Sequence, residues 1–232
     1  MKTCIALLLL VLSTLAHADA LGLRGHAGLW LGEIEGSLAQ NSLSFDEVSF
    51  ERENYHQYAY VFVEHPVPLI PNVRVHYSSI EASRQYDVAA IENIASSRID
   101  LSHLDLTLYY ELLDNIVSVD AGLSARKYFG EISLNGFGNS QTADYDHVLP
   151  MLYALAEVHF PLTGWSIGVE GSYTEYNDYT VADYSARVRY LLDAVVKVGV
   201  DAGYRNMHMQ VDKSFGFDFD VAGPFASVAV HF

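Results

Sequence analysis

Leu104-Asp105-Leu106-Thr107-Leu108-Tyr109-Tyr110-Glu111-Leu112 runs through a tight Asp114-Asn115 turn into Val117-Ser118-Val119-Asp120-Ala121-Gly122-Leu123-Ser124-Ala125-Arg126. Both arms alternate apolar with polar or small side chains. A period of two is the mark of a strand whose two faces meet different surroundings, because successive side chains leave a strand on opposite sides. Two such arms joined by a two-residue turn read as an antiparallel hairpin.

The pattern spreads outward from this hairpin in both directions. Leu152, Ala154, Ala156, Val158 and Phe160 alternate with Tyr153, Glu157 and His159, and Trp165, Ile167, Val169, Gly171 and Tyr173 with Ser166, Gly168, Glu170, Ser172 and Thr174. Tyr184 to Leu192 and Val196 to Tyr204 follow suit, with Arg187, Arg189, Lys197, Asp201 and Arg205 on the other face. Weaker strands are expected over 21–36, 58–64 and 72–79, and a last one over 217–232. No helical stripe competes, and the count comes to about ten. Part of the first hairpin recurs: Leu112-Leu113-Asp114-Asn115-Ile116-Val117 and Asp120-Ala121-Gly122 are echoed by Leu191-Leu192-Asp193-Ala194-Val195-Val196 and Asp201-Ala202-Gly203. That is a hairpin unit reused within one barrel, without a second domain.

Connections fall into two classes that alternate. Short ones are expected at 65–71, 113–115, 161–164 and 193–194, and long polar ones at 37–56, 81–100, 130–146 and 206–216. Only Tyr176-Asn177-Asp178-Tyr179 is short on the long side. A closed antiparallel transmembrane β-barrel with short periplasmic turns and long extracellular loops produces this order.

Composition agrees. Half of the 232 residues are hydrophobic, yet mean hydropathy is only +0.12, so the apolar residues are dispersed. The one long apolar run is Ile5 to Leu15, preceded by Lys2 and followed by Ala16-His17-Ala18 and Ala18-Asp19-Ala20. About 20 apolar residues are needed to span a bilayer as a helix, so residues 1–20 read as a signal peptide cleaved after Ala18 or Ala20, leaving the barrel over 21–232. Cys4 precedes the apolar core, so the mature chain has no cysteine. The net charge of -16 disfavours nucleic acid, which wants a basic stripe.

Alternation alone does not separate a membrane barrel from a soluble one, since only the direction of the apolar face differs. Three features do. Aromatic residues close the apolar faces at both ends: Tyr110, Phe160, Trp165, Tyr190 and Phe232 near the short turns, and Tyr77, Tyr173, Tyr184 and Tyr204 near the long connections. Trp165 and Tyr173 are eight residues apart, roughly 20 Å along the membrane normal on a tilted strand and close to the ~25 Å apolar band between girdles. The polar face carries Gly, Ser, Thr and Tyr with isolated charges of both signs, which suits a crowded lumen. The chain ends on Phe232 with Val230, Val228 and Ala226 on the same face, the form of a C-terminal assembly signal.

Leu21-Gly22-Leu23, the segment Glu64-His65-Pro66-Val67-Pro68-Leu69-Ile70-Pro71-Asn72-Val73-Arg74 and the closing Gly223-Pro224-Phe225 resemble a family of proteobacterial outer-membrane proteins. The resemblance spans most of the mature chain and implies a barrel with no assigned activity. Independently of it, Pro66, Pro68 and Pro71 remove three backbone donors and fix φ, so this segment ends the ladder in a rigid turn.

Glu64, Arg74, Glu111, Asp120, Glu157, Glu170, Arg189, Lys197 and Asp201 fall on the lumen face and are expected as a belt near the short-turn end, paired across the barrel because a single buried charge is costly. The belt is read as either a structural network or a constriction gating a small-solute path. An outer-membrane enzyme of the protease or lipid-modifying kind is the competing class. His26, His76, His103 and His159 fall on lumen faces and His56, His147 and His208 near connections, but none forms a recognisable catalytic motif. Loop-mediated adhesion is a further alternative. No cofactor or metal is expected: no His pair has local ligand spacing, and Asp46, Glu47, Glu51 and Glu53 lack the order of a calcium loop. The expected partners are outer-membrane lipids, lipopolysaccharide and the barrel-assembly machinery through Phe232, around a monomer.

Overall fold

The computed structural model describes residues 22–40, 43–45, 55–67, 69–85, 96–136, 139–145, 147–192, 196–212 and 215–232. The expected signal peptide and the acidic stretch Asp46 to Glu53 lie outside them. The strands are β1 (Gly22–Leu31), β2 (Glu33–Gln40), β3 (Leu43–Phe45), β4 (Tyr55–Glu64), β5 (Asn72–Ser79), β6 (Glu81–Gln85), β7 (Ser96–Asp100) and β8 (His103–Asp114). They continue as β9 (Val117–Tyr128), β10 (Gly130–Gly136), β11 (Asn139–Tyr145), β12 (Val148–His159), β13 (Trp165–Tyr176), β14 (Tyr179–Leu192), β15 (Lys197–Val211) and β16 (Phe215–His231).

Ten of these build the wall, in the order β1, β4, β5, β8, β9, β12, β13, β14, β15, β16, and β1 returns to β16 to close it. At the seam Gly25 faces Val230 and Ala27 faces Val228, antiparallel like every other pair. Closure leaves the wall no free edge, the condition for placing strands in hydrocarbon. The outward set is apolar all round: Leu106 and Leu108 on β8, Leu123 on β9, Leu152 on β12, Val169 on β13, Val200 on β15 and Val228 on β16 are all exposed. An exposed apolar belt of this extent far exceeds the patches soluble proteins carry, so the wall faces lipid.

Among the described residues the short connections at 65–71, 113–115 and 161–164 form as expected and are tightly specified; the one expected at 193–194 lies outside them. In the turn after β4, the His65 amide donates to Asn72 Oδ1 at 3.0 Å, and Tyr110 donates its hydroxyl to the Leu69 carbonyl at 2.9 Å. Gly164, with φ +74, lets the turn after β12 reverse, and a Cβ there would sit 2.4 Å from the Leu191 carbonyl oxygen. Gly164→Ala is therefore expected to cost about 1–2 kcal/mol through left-handed strain and this clash, read as a lower urea midpoint for unfolding from detergent.

The long connections require a correction. Their described residues are largely strand. β6 continues β5 past Ile80, β7 leads into β8, β10 continues β9 past Phe129, and β11 leads into β12; their sheet order, β6, β7, β10, β11, repeats that of the four wall strands beneath. Backbone bonds stitch the bend, from Leu101 N to Ile80 O at 2.8 Å and from Phe129 N to Ser102 O at 3.0 Å. On the other side β2 prolongs β1 in the same register, since Trp30 faces Phe225 and Glu33 faces Ala222. β15 and β16 are 15 and 17 residues long, against the ~9–11 a membrane strand needs. The stretch 206–216, expected as a loop, is mostly this ribbon.

The physical reason is an inversion of polarity beyond the membrane. On β15, Val198, Val200, Ala202 and Tyr204 point outward while Asp201 and Arg205 are buried. From two residues past Arg205, Met207, Met209 and Val211 are the buried set and His208 and Gln210 face outward. The strand keeps its phase, and only the chemistry of its surroundings changes. In water the apolar side chains turn inward, as in any soluble protein. Trp30, Ile34, Ile80, Ile99, Leu101, Ile132, Leu149, Val181, Met207, Met209, Phe219 and Val221 thus form an apolar core above the membrane-spanning section.

Candidate functional site

The interior of the spanning section is ionic, and alternation puts it there: each wall strand that exposes an apolar side chain to lipid sends its neighbour inward. Arg126 of β9 grips Asp105 of β8 with two bonds, Nε to Oδ1 at 2.7 Å and Nη2 to Oδ2 at 2.8 Å, and reaches Asp183 of β14 at 2.7 Å. Arg205 of β15 holds the same Asp183 through Nε at 2.9 Å and Nη2 at 2.8 Å, and donates to Ser78 Oγ at 3.1 Å. Two guanidiniums meet two carboxylates, so this upper cluster is neutral.

A second cluster lies below it. Arg74 donates to Glu170 at 2.6 Å, and Arg187 bridges Glu170 at 2.8 Å to Glu157 at 2.7 Å. Arg189 continues from Glu157 at 3.2 Å to Asp201, gripped through Nε at 2.7 Å and Nη2 at 3.0 Å, and His26 Nδ1 stands 3.0 Å from the same carboxylate. Three guanidiniums again face three carboxylates. Paired and hydrogen-bonded charges offset the desolvation that would expel any one of them. At the short-turn rim Arg24 pairs with Glu64, which also accepts from the Tyr109 hydroxyl at 2.9 Å.

Aromatic rings fill what the ions leave. His26 stacks on Tyr60 with centroids 4.4 Å apart, and the Arg74 guanidinium lies 5.0 Å from the Tyr60 ring. Arg205 sits 4.5 Å from the Trp30 ring, joining the upper ionic cluster to the apolar core above. A cavity of about 40 Å³ remains between the clusters, lined by Tyr58, Tyr60, Arg74, His76, Arg205 and their neighbours. At roughly 10–15 Å³ per water, it has room for a few waters.

Of the expected charge belt, Glu64, Arg74, Glu157, Glu170, Arg189 and Asp201 are brought together in these pairs. Asp120 is buried at the rim, opposite Glu111 in register. Glu111, on the same face as Asp120, is exposed at the rim, and Lys197 is exposed at the first position of β15. The belt is also not confined to the short-turn end, since the upper cluster stands on His76, Asp105, Arg126, Asp183 and Arg205. Asp105, Arg126, Arg187 and Arg205 were on the polar face of the sequence pattern all along, sharing parity with the assigned charges. Asp183 was missed because β14 begins earlier than its apolar run.

Among the histidines, His26, His76 and His103 are buried in the lumen and His159 is half-exposed, 3.1 Å from Ser118 Oγ. His56 is buried in the apolar core, 3.2 Å from the Gly32 carbonyl. Of the aromatic residues assigned to girdles, Tyr77, Tyr110, Phe160, Trp165, Tyr173, Tyr184 and Tyr204 face outward and are exposed, while Tyr190 packs on Trp165 at 4.8 Å. Phe232 is exposed and its amide bonds the Leu23 carbonyl at 2.9 Å across the seam.

A closed antiparallel ten-stranded wall, apolar toward lipid and ionic within, defines a transmembrane β-barrel of the bacterial outer membrane. No family model matches the chain, and no curated protein does. Among solved structures it is similar to the outer membrane protease OmpT from Escherichia coli, at 10% identity over 93% of this chain and 99% of that one, with a TM-score of 0.51. The translocator domain of the autotransporter NalP from Neisseria meningitidis aligns at 13% identity over 100% of this chain and 95% of that one, with a TM-score of 0.44. At that identity the likeness to the protease concerns the fold alone.

Proposed function

We propose that this outer-membrane barrel has a structural role: a sealed, non-conducting wall that carries its apolar-cored strand extension to the cell surface. The supporting observation is the pair of neutral ionic clusters spanning the lumen, capped by the core around Trp30. A solute path would need a continuous aqueous lumen, and the paired side chains of the two clusters reach across it from β5 and β9 to β13 and β14. Outer-membrane lipids and lipopolysaccharide surround the wall in this reading, the barrel-assembly machinery engages the strand ending in Phe232, and one chain makes the functional unit.

Planar-bilayer recordings of the purified chain are expected to show no discrete conductance, and Glu111→Ala is expected to leave them silent. Reproducible single-channel steps from the unmodified chain would overturn the sealed barrel in favour of the narrow-channel reading. Proteolytic or lipid-modifying activity is the alternative from a different class. Hydrolysis assays on peptides and lipid A are expected to stay at background.

A further inference from the structure

On the outward face of the ribbon, above Tyr204, His208 of β15 and Asp220 of β16 stand directly opposite one another, and Asp218 shares their face two residues along β16. His208 Nδ1 lies 3.3 Å from Asp220 Oδ1 and 3.6 Å from Asp218 Oδ1. One ligand atom from each of the three lies within 4.8 Å of the others. We propose that His208, Asp218 and Asp220 form a surface site for a divalent transition-metal ion of the zinc class.

The spacing supports coordination. Nitrogen and oxygen ligands about 2.0–2.2 Å from a tetrahedral zinc stand roughly 3.3–3.5 Å from one another, whereas a charge-assisted N–H to carboxylate bond closes to about 2.7–2.9 Å. The two measured separations belong to the first range or just beyond it. The field has the right sign as well. Glu35 of β2 lies directly across the ladder from Asp220, and like charges in that position destabilise a sheet, a cost that a bound dication removes. An imidazole with carboxylates selects zinc-like ions over magnesium or calcium, which prefer all-oxygen sets. Three protein ligands leave a fourth position open toward the outside.

A second group, His76, His103 and Asp105, also has ligand atoms within reach of one another, and His103 Nε2 is buried without a partner. Arg126 occupies both oxygens of Asp105 there, and Arg205 stands close by on Asp183. A dication added to that neutral cluster would meet two guanidiniums. The ribbon site has the opposite balance, which is why the ion belongs outside rather than in the lumen.

Isothermal titration of Zn²⁺ into the full chain in detergent micelles tests the site, with Co²⁺ absorption reporting coordination number. One saturable site per chain is expected, weakened at least tenfold by His208→Ala and by Asp220→Asn and unchanged by Asp212→Asn, which removes a nearby charge outside the cluster. Heat-modifiability on gels checks that each variant is folded. Absence of saturable binding, equal binding by His208→Ala, or equal weakening by Asp212→Asn would each overturn the assignment.

Discussion

Arg126→Ala is expected to lower the stability of the barrel by about 3–5 kcal/mol, the range for removing one partner of a buried ion pair. Arg126 is 1% exposed and makes both bonds to Asp105 and one to Asp183. Its loss leaves Asp105 with His76, 3.5 Å away, as its remaining counterpart, and Asp183 with Arg205 alone. The measurement is reversible unfolding in urea from detergent or lipid, with heat-modifiability as the check that a barrel forms. Arg126→Ala combined with Asp105→Ala should cost less than the sum of the single changes, because the second removes a charge the first has stranded. A single-variant effect below about 1 kcal/mol would show that the lumen carries water enough to solvate these carboxylates, and the sealed reading would fall with it.

Trp30→Ala should produce a loss of similar size, about 3–5 kcal/mol for emptying a fully buried aromatic site, but in a different part of the molecule. Trp30 is fully buried, donates its indole N–H to the Gly223 carbonyl at 3.1 Å and lies under Arg205. Removing it opens a hole where the apolar core meets the upper ionic cluster. Limited proteolysis is therefore expected to cut the β2 and β16 extension of the variant first, while the membrane-embedded wall stays protected. Trp30→Phe keeps most of the apolar volume and should recover most of the stability, losing the indole bond. Equal protease sensitivity of extension and wall would contradict the division into two differently packed layers.

The fold was legible because the membrane enforces it. Lipid demands apolar side chains on one face of every strand, and the resulting period of two is visible in Leu104 to Leu112 and Val117 to Ala125 without further context. The short turns were legible for a local reason, since Asp114-Asn115, the prolines of 66–71 and Gly164 restrict the backbone by themselves. The strand extensions were not. Outward Glu81, Ser83, Arg98 and Glu131 beside isolated apolar residues such as Ile80, Ile99 and Ile132 read as polar connections unless one knows they continue a wall. The ionic network stood between these cases. Its members were visible as charges on the inward parity, but which carboxylate each arginine takes depends on which strands are neighbours across the lumen.

The amino-acid sequence by itself determined the closed barrel, its approximate strand number and the polarity of its two faces, because those follow from local alternation and from the requirement that hydrocarbon leave no backbone group unpaired. Only the tertiary structure decided that Arg74 meets Glu170 and Arg126 meets Asp183, and that His208 lies beside Asp218 and Asp220. These contacts join residues 10 to 96 positions apart in the chain. Strand register and closure bring such residues together, and neither is written in any local stretch of sequence.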